Sequence, residues 1–272
     1  MSASSLQPVA LGVTAHAALV RCGGEARVLA RLPRGTYLRV GAEIAWLGGL
    51  GATLHPRAIL VPAPHPEPDL VRVEAGALVP WRPAAPALQG LTAADLAKRW
   101  QALAVAPLGT PGGFGVLLSG QPLAFPLGGA GAAAESLARA CARDDAVSAA
   151  DAALALLGVG GGLTPSGDDY VGGALFARAL VSAARPDAAA WRSAADRVVA
   201  AAAACTHPIS AALLADLAAG HSWAPLHELV TALAAGESGD VQASARRLVA
   251  LGHTSGWDML AGVAAGLGAL VF

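Results

Sequence analysis

The sequence has few charged residues and few aromatic ones. Charged residues make up 14% of the 272 residues and aromatic residues 4%, while hydrophobic residues reach 55%. A chain this apolar can bury enough surface to offset the entropy lost on ordering, which argues against extended disorder. Much of the apolar content is alanine, which favours closely packed helices over a core of large aromatic side chains.

Basic residues are not in excess either. The formal net charge is −1 and no arginine-rich stretch alternates with aromatic residues, so nucleic acid is a poor candidate partner. The most apolar runs, residues 169–184 and 259–272, contain Arg178 or fall short of the roughly 20 residues that a membrane span needs. The first residues lack the basic segment of a secretory signal. We expect no membrane association and a cytoplasmic protein.

Cysteines are few and widely spaced. Cys22, Cys141 and Cys205 are odd in number, and none belongs to a C-x-x-C pair. This pattern argues against a disulfide framework and against a structural zinc site. We expect three buried thiols.

Short apolar runs separated by glycine and proline clusters predict strands in the N-terminal part. They cover residues 9–20, 26–32, 37–47, 58–62 and 70–79, with a further hairpin at 114–118 and 123–127. Strands at this spacing are typical of a small sheet or barrel.

The pattern becomes helical after a first helix at residues 91–105, for which Thr92 is the expected N-cap. The predicted helical segments are 133–157, 168–184, 187–205, 208–219, 224–235, 239–251 and 257–270. We predict an α+β fold with a β-rich N-terminal domain, residues 1–127, packed on an all-helical C-terminal domain, residues 128–272.

A glycine-rich segment, Gly158-Val-Gly-Gly-Gly-Leu-Thr-Pro-Ser-Gly-Asp-Asp169, joins two of the predicted helices. A glycine-rich approach to a helix start gathers backbone N–H groups, which suits a phosphate or carboxylate ligand. Asp168 and Asp169 repel an anion unless a cation or an N–H group lies between. The segment therefore predicts a ligand with an anionic end and an N–H-bearing or cationic end, or a phosphate bound through Mg²⁺ on Asp168 and Asp169.

The end of this segment is echoed about ninety residues later. Ser166-Gly-Asp-Asp169 resembles Ser255-Gly-Trp-Asp258, and a threonine, Thr164 or Thr254, stands just upstream of each. A hydroxyl followed by a carboxylate also fits a helix capping box, so these residues have a purely structural alternative.

Familiar motifs are excluded by spacing. No lysine follows the glycines as a P-loop requires, no strand precedes them as a dinucleotide fingerprint requires, and Ser166 is not in a G-x-S-x-G elbow. A third helix start, Thr206-His207-Pro-Ile-Ser210, presents further hydroxyls, and His253 lies inside the echo.

The three segments together resemble a bacterial family that has carried the label carboxylase. That family includes a subunit associated with oxamate carbamoyltransferase in anaerobic allantoin breakdown, a branch of purine catabolism. The matching positions are Gly158, Gly160, Gly162 through Asp169, Thr206, Ile209, Ser210, Gly252, Thr254, Ser255, Gly256 and Asp258. The resemblance implies partner subunits in a hetero-oligomeric enzyme and carbamoyl transfer between carbamoyl phosphate and a small 2-oxo-acid amide.

We therefore predict a carbamoyltransferase-like or carboxylase-like subunit that binds a small anionic metabolite where three helix starts meet. The predicted catalytic residues are Asp168, Asp169 and Asp258, and His207 and His253 are further candidates. The predicted ligand-binding residues are Gly158, Gly160, Gly161, Gly162, Thr164, Ser166, Gly167, Thr206, Ser210, Thr254, Ser255 and Gly256. The alternatives are an Mg²⁺-dependent hydrolase that uses Asp168 and Asp169, and a non-catalytic structural or regulatory subunit.

Overall fold

The computed structural model describes residues 4–183, 185–186, 188–270 and 272. Contacts within the chain group it into two units, residues 1–84 and 85–272. The first is β-rich and the second is mostly helical, so the predicted α+β class, with strands first and helices after, is confirmed. The domain boundary that we placed after residue 127 stays a prediction.

The described residues of the first unit form one seven-stranded sheet in the order β1-β7-β3-β4-β5-β6-β2. Strands β1 and β2 form its two edges, yet only three residues separate them along the chain. Because so short a link spans little more than 10 Å, the sheet must curl until its edges approach each other. The strands are β1 Ser4–Leu6, β2 Ala10–Leu11, β3 Glu25–Leu32, β4 Gly35–Val40, β5 Glu43–Gly48, β6 Ala58–Leu60 and β7 Leu70–Val73.

The predicted strand at residues 9–20 is wrong beyond its first residues, because Val13–Arg21 forms helix α1. Ala15, Ala18 and Leu19 are buried with the sheet side chains, among them Leu38 and Leu47. The spacing of these three buried residues, i, i+3 and i+4, is that of a helix and not of a strand.

The second unit contains nine helices within the described residues, and each predicted helical segment corresponds to one or two of them. A left-handed Asp144, with φ of 60°, separates α3 from α4, which we predicted as one helix. The helices are α2 Ala93–Trp100, α3 Gly131–Ala142, α4 Ala146–Leu154, α5 Ser166–Ser182, α6 Ala188–Cys205, α7 Pro208–Ala218, α8 Ala224–Ala235, α9 Ser238–Val249 and α10 Ser255–Leu267.

The hairpin predicted at residues 114–118 and 123–127 is also wrong. Gly113–Ser119 forms a 3-10 helix that buries Phe114 and Leu117 on one side. In a 3-10 helix, residues three apart lie directly above one another, so this pair of large apolar residues fits a helical turn better than a strand.

Helices α5 and α10 form the centre of this unit. Nearly every residue of both helices is buried, as expected of helices that are enclosed on all sides. A Cβ atom on Gly173 would overlap the carbonyl oxygen of Met259, and one on Gly262 would overlap that of Tyr170. The two backbones are therefore in direct contact, at residues that occupy the same position in the motif and in its echo.

Only one of the three predicted buried thiols is fully buried. Cys141 lies in the core, Cys22 is half-buried and Cys205 is exposed at the end of α6. All three are free cysteines. None of the helices formed by the described residues is both long and apolar enough to cross a lipid bilayer.

Candidate functional site

Helices α5 and α10 begin side by side. The Thr164 and Ser255 hydroxyl oxygens lie 3.3 Å apart, and so do those of Ser166 and Thr254. Each pair joins one residue of the motif to one of the echo, in reciprocal order. The two predicted helix starts thus meet in space around a local two-fold relation, although 88 to 91 residues separate them in the chain.

Equivalent glycines hold each helix start against the helix before it. A Cβ atom on Gly167 would overlap the carbonyl oxygen of Leu156, and one on Gly256 would overlap that of Leu248. The Gly167 backbone N–H donates to the Val159 carbonyl oxygen, and the Gly256 backbone N–H donates to the Leu251 carbonyl oxygen. Val159 follows Leu156 by three residues, and Leu251 follows Leu248 by three. The motif and the echo are therefore two copies of one helix–loop–helix unit, and the loop of the first copy is longer.

Two carboxylates lie beneath the hydroxyls, one from each copy. Asp169 is 5% exposed and Asp258 is fully buried. Asp258 Oδ1 accepts a 2.6 Å hydrogen bond from the Phe114 backbone N–H. The Oδ2 atoms of both aspartates are buried without a hydrogen-bond partner among the described residues. A buried acceptor without a donor is costly, so these two oxygens are the candidate contact atoms for a ligand.

Burial and mutual repulsion keep this pair from ionising together. Burial raises the pKa of Asp258 to about 7, although the Phe114 N–H and the nearby Thr254 and Ser166 hydroxyls act in the opposite direction. Burial raises the pKa of Asp169 well above its usual value, and the negative charge of Asp258 raises it further. At neutral pH the pair therefore holds at least one proton.

Asp168 occupies a different environment. Its Oδ1 accepts a 2.8 Å hydrogen bond from the Gly158 N–H, and its Oδ2 accepts hydrogen bonds from the Thr206 and Ser210 hydroxyls. The third predicted helix start, that of α7, is thus joined to the glycine loop through Asp168. Neighbouring residues on a helix do not face the same side, so Asp168 lies against α7 while Asp169 interacts with α10.

The segment Gly112–Phe114 forms a further wall of the site, which we did not predict. A Cβ atom on Gly113 would overlap Asp258 Oδ1, and Gly113 has a left-handed φ of 55°. Only glycine fits this position, for both reasons. The sequence signal was present in Pro111-Gly-Gly-Phe-Gly115, whose three glycines resemble those of the predicted loop.

The remaining predicted residues lie at the rim. Gly160, Gly161 and Gly162 are exposed, and the four paired hydroxyl-bearing residues are half-buried. His207 caps α7, since its Nδ1 accepts a 3.2 Å hydrogen bond from the Ile209 N–H. His253 is exposed in the loop before α10. The result is a floor of two carboxylates, Asp169 and Asp258, below a rim of four hydroxyls, those of Thr164, Ser166, Thr254 and Ser255.

Among the described residues, no three histidine, cysteine, aspartate or glutamate side chains lie where they could share a metal ion. The predicted ligand pair, Asp168 and Asp169, does not share one environment, because both oxygens of Asp168 already accept hydrogen bonds from the protein.

The part of the chain that builds the floor and the rim also has a counterpart among known protein families. Residues 156–267 match the family model of the oxamate carbamoyltransferase subunit AllH. The match confirms the resemblance predicted from the sequence. It covers less than half of the chain. It contains the glycine loop with α5 and Asp168, the start of α7 and the whole second copy, α9 to α10, but neither α4 nor the Gly112–Phe114 wall. Neither a curated protein nor a solved structure matches the chain.

Proposed function

We propose that this chain is a carbamoyltransferase subunit whose floor and rim bind the carbamoyl group of a small anionic metabolite such as carbamoyl phosphate. The observation that supports it is the pair of buried Oδ2 atoms on Asp169 and Asp258, which lack donors among the described residues. They lie within the segment that matches the carbamoyltransferase subunit family.

The carbamoyl group has the hydrogen-bonding groups that this floor requires. The N–H groups of its NH₂ end can donate to the ionised carboxylate without adding a charge to a buried site, and its oxygens can accept the proton of the other carboxyl. The carbonyl oxygen of the same group is an acceptor, and the rim hydroxyls can donate to it. An ammonium ion could also satisfy the carboxylates, but it would offer the hydroxyls no acceptor.

The phosphate end belongs outside the floor. Negative charge on Asp258 would repel it, whereas Gly160 to Gly162 are exposed and Gly160 lies against Ser166, the first residue of α5, so this loop is the proposed place for the phosphate. Backbone N–H groups at a glycine-rich helix start bind anions without any cationic side chain. The ligand would therefore lie with its carbamoyl group inward and its phosphate at the glycine loop.

The proposal is tested by calorimetric titration of the full chain with carbamoyl phosphate, with and without Mg²⁺, and with inorganic phosphate as a second probe. Asp258→Asn replaces an acceptor by an N–H donor, so we expect the Kd for carbamoyl phosphate to rise about 10- to 100-fold. Binding of inorganic phosphate should change much less. Asp196→Asn, at an exposed position of α6, is the matched control and should bind both as the wild type does.

The outcomes also separate the alternatives. Binding of carbamoyl phosphate that Asp258→Asn does not weaken would contradict the proposed floor. Binding that requires Mg²⁺ and is lost in Asp168→Ala would support the hydrolase alternative. Absence of binding under every condition would contradict a metabolite site in this chain and leave the structural role.

A further inference from the structure

The two floor carboxylates differ in their partners, although the motif and its echo place them in equivalent positions. Asp258 accepts a hydrogen bond from a backbone N–H, that of Phe114, in addition to its Thr254 and Ser166 hydroxyl partners. The partner of Asp169 is a hydroxyl, that of Ser255. A fixed N–H donor stabilises the ionised form of a carboxylate, while a hydroxyl can turn to donate or to accept. The geometry therefore makes Asp258 the carboxylate and Asp169 the carboxylic acid of the pair.

The following inference rests on the proposed function. We propose that Asp169 and Asp258 act as a proton-transfer pair in carbamoyl transfer to an amide nitrogen, with Asp258 as the base and Asp169 as the acid. Each has one buried oxygen, Oδ2, that no protein group engages among the described residues. These oxygens are the atoms through which the protons would pass.

The protons and bonds of the step balance. The acceptor amide nitrogen forms a bond to the carbamoyl carbon while Asp258 Oδ2 takes one of its two N–H protons. The bond between the carbamoyl carbon and the phosphate oxygen breaks, and the bond electrons leave with the phosphate. Asp169 gives its proton to that leaving oxygen, so the product is hydrogen phosphate. Transfer of the proton from Asp258 to Asp169 then restores the starting pair.

The surroundings of the pair limit what else could titrate there. Among the described residues, Asp168 is the only other charged group that shifts the pKa of either carboxyl, and it raises that of Asp169. Asp168 itself accepts hydrogen bonds from Gly158, Thr206 and Ser210. The 3-10 helix Gly113–Ser119 contains no titratable side chain and donates the Phe114 N–H to Asp258. The start of α7 reaches Asp168, through the Thr206 and Ser210 hydroxyls. We therefore expect a single ionisation, near neutral pH, to control the pH dependence of kcat.

For the test, this chain is affinity-tagged and the whole enzyme is purified with the subunits that bind to it. The assay follows phosphate release from carbamoyl phosphate in the presence of an amide acceptor, with both substrates at saturating concentration. The wild-type kcat should rise about tenfold per pH unit below neutral pH and then level off. In Asp258→Asn, kcat should fall about 100-fold or more and lose this rise. Asp258→Glu should recover part of the rate together with the pH dependence, and Asp169→Asn should lower kcat while keeping the rise.

A second readout needs no activity. Carbon-13 NMR of the full chain labelled at aspartate carboxyls follows both protons directly. In Asp258→Asn the titration of Asp169 should move to lower pH, because the neighbouring charge is gone. Unchanged titration of Asp169, or a normal pH–rate profile in Asp258→Asn, would overturn the acid–base assignment. Wild-type chain that binds carbamoyl phosphate in the calorimeter would leave the proposed function standing in that case, so the two failures are distinguishable.

Discussion

Replacing Asp258 by asparagine should change how the stability of the chain depends on pH. Burial raises the pKa of Asp258 to about 7 in the native state, from an ordinary value of 3.8. Between these values the native state binds a proton that the unfolded chain has released, so stability falls as pH rises. Integrating the difference from pH 5 to pH 8 gives a loss of about 3 kcal/mol. Asp169 acts in the same direction, since its pKa is also raised.

Asparagine has no proton to lose, and its side-chain oxygen can still accept the Phe114 N–H. We therefore expect the wild-type Tm to fall by roughly 6–12 °C or more between pH 5 and pH 8, since about 1 kcal/mol corresponds to 2–4 °C at this chain length. In Asp258→Asn the fall should be smaller by at least the roughly 6–12 °C that Asp258 contributes. Thermal unfolding followed by circular dichroism at half-unit pH steps measures both curves.

The comparison needs an aspartate whose removal leaves the floor untouched. Asp196 is exposed on α6, and Asp196→Asn should give a curve parallel to that of the wild type. If the Tm of Asp258→Asn instead tracks the wild type across the whole range, Asp258 is ionised at low pH in the native state. The acid–base reasoning would then be wrong.

Three further predictions concern stability and are tested by urea unfolding. Gly173→Ala should cost about 2 kcal/mol or more, because its Cβ would overlap a backbone carbonyl of α10; Gly239→Ala, with open space around it in α9, should be neutral or stabilise by up to about 1 kcal/mol, and equal effects would contradict the close contact. Asp168→Ala should cost about 3 kcal/mol and more than Ser210→Ala, because three donors lose their acceptor. Thr92→Ala should cost about 1 kcal/mol through loss of the α2 capping box, and an unchanged midpoint would contradict that role.

Much of the helical unit could be predicted because glycine and proline separate its helices and alanine dominates within them. The helix starts at Ser166 and Ser255 were visible as short motifs, and so was their likeness to each other. Helix α1 could not be told from a strand, because a short apolar run bounded by glycines is compatible with both. The split at Asp144 depends on a left-handed backbone conformation that aspartate adopts only occasionally.

The make-up of the floor could not be predicted in full, because it depends on which helix faces which. We paired Asp168 with Asp169, which are adjacent in sequence, whereas the structure pairs Asp169 with Asp258 across α5 and α10. Helical geometry alone could have separated the first two. The contribution of Gly113 and Phe114 required knowing where a 3-10 helix lies relative to α10, which no local pattern records.

The direct backbone contact between α5 and α10 has a consequence for how the floor can respond to a ligand. Side chains that pack between two helices can change rotamer and let the helices slide, but Gly173 and Gly262 have none. The spacing between the two helix starts is therefore fixed by direct contact between the two main chains. On the proposed function, this fixed spacing should favour the small carbamoyl group over larger acyl groups.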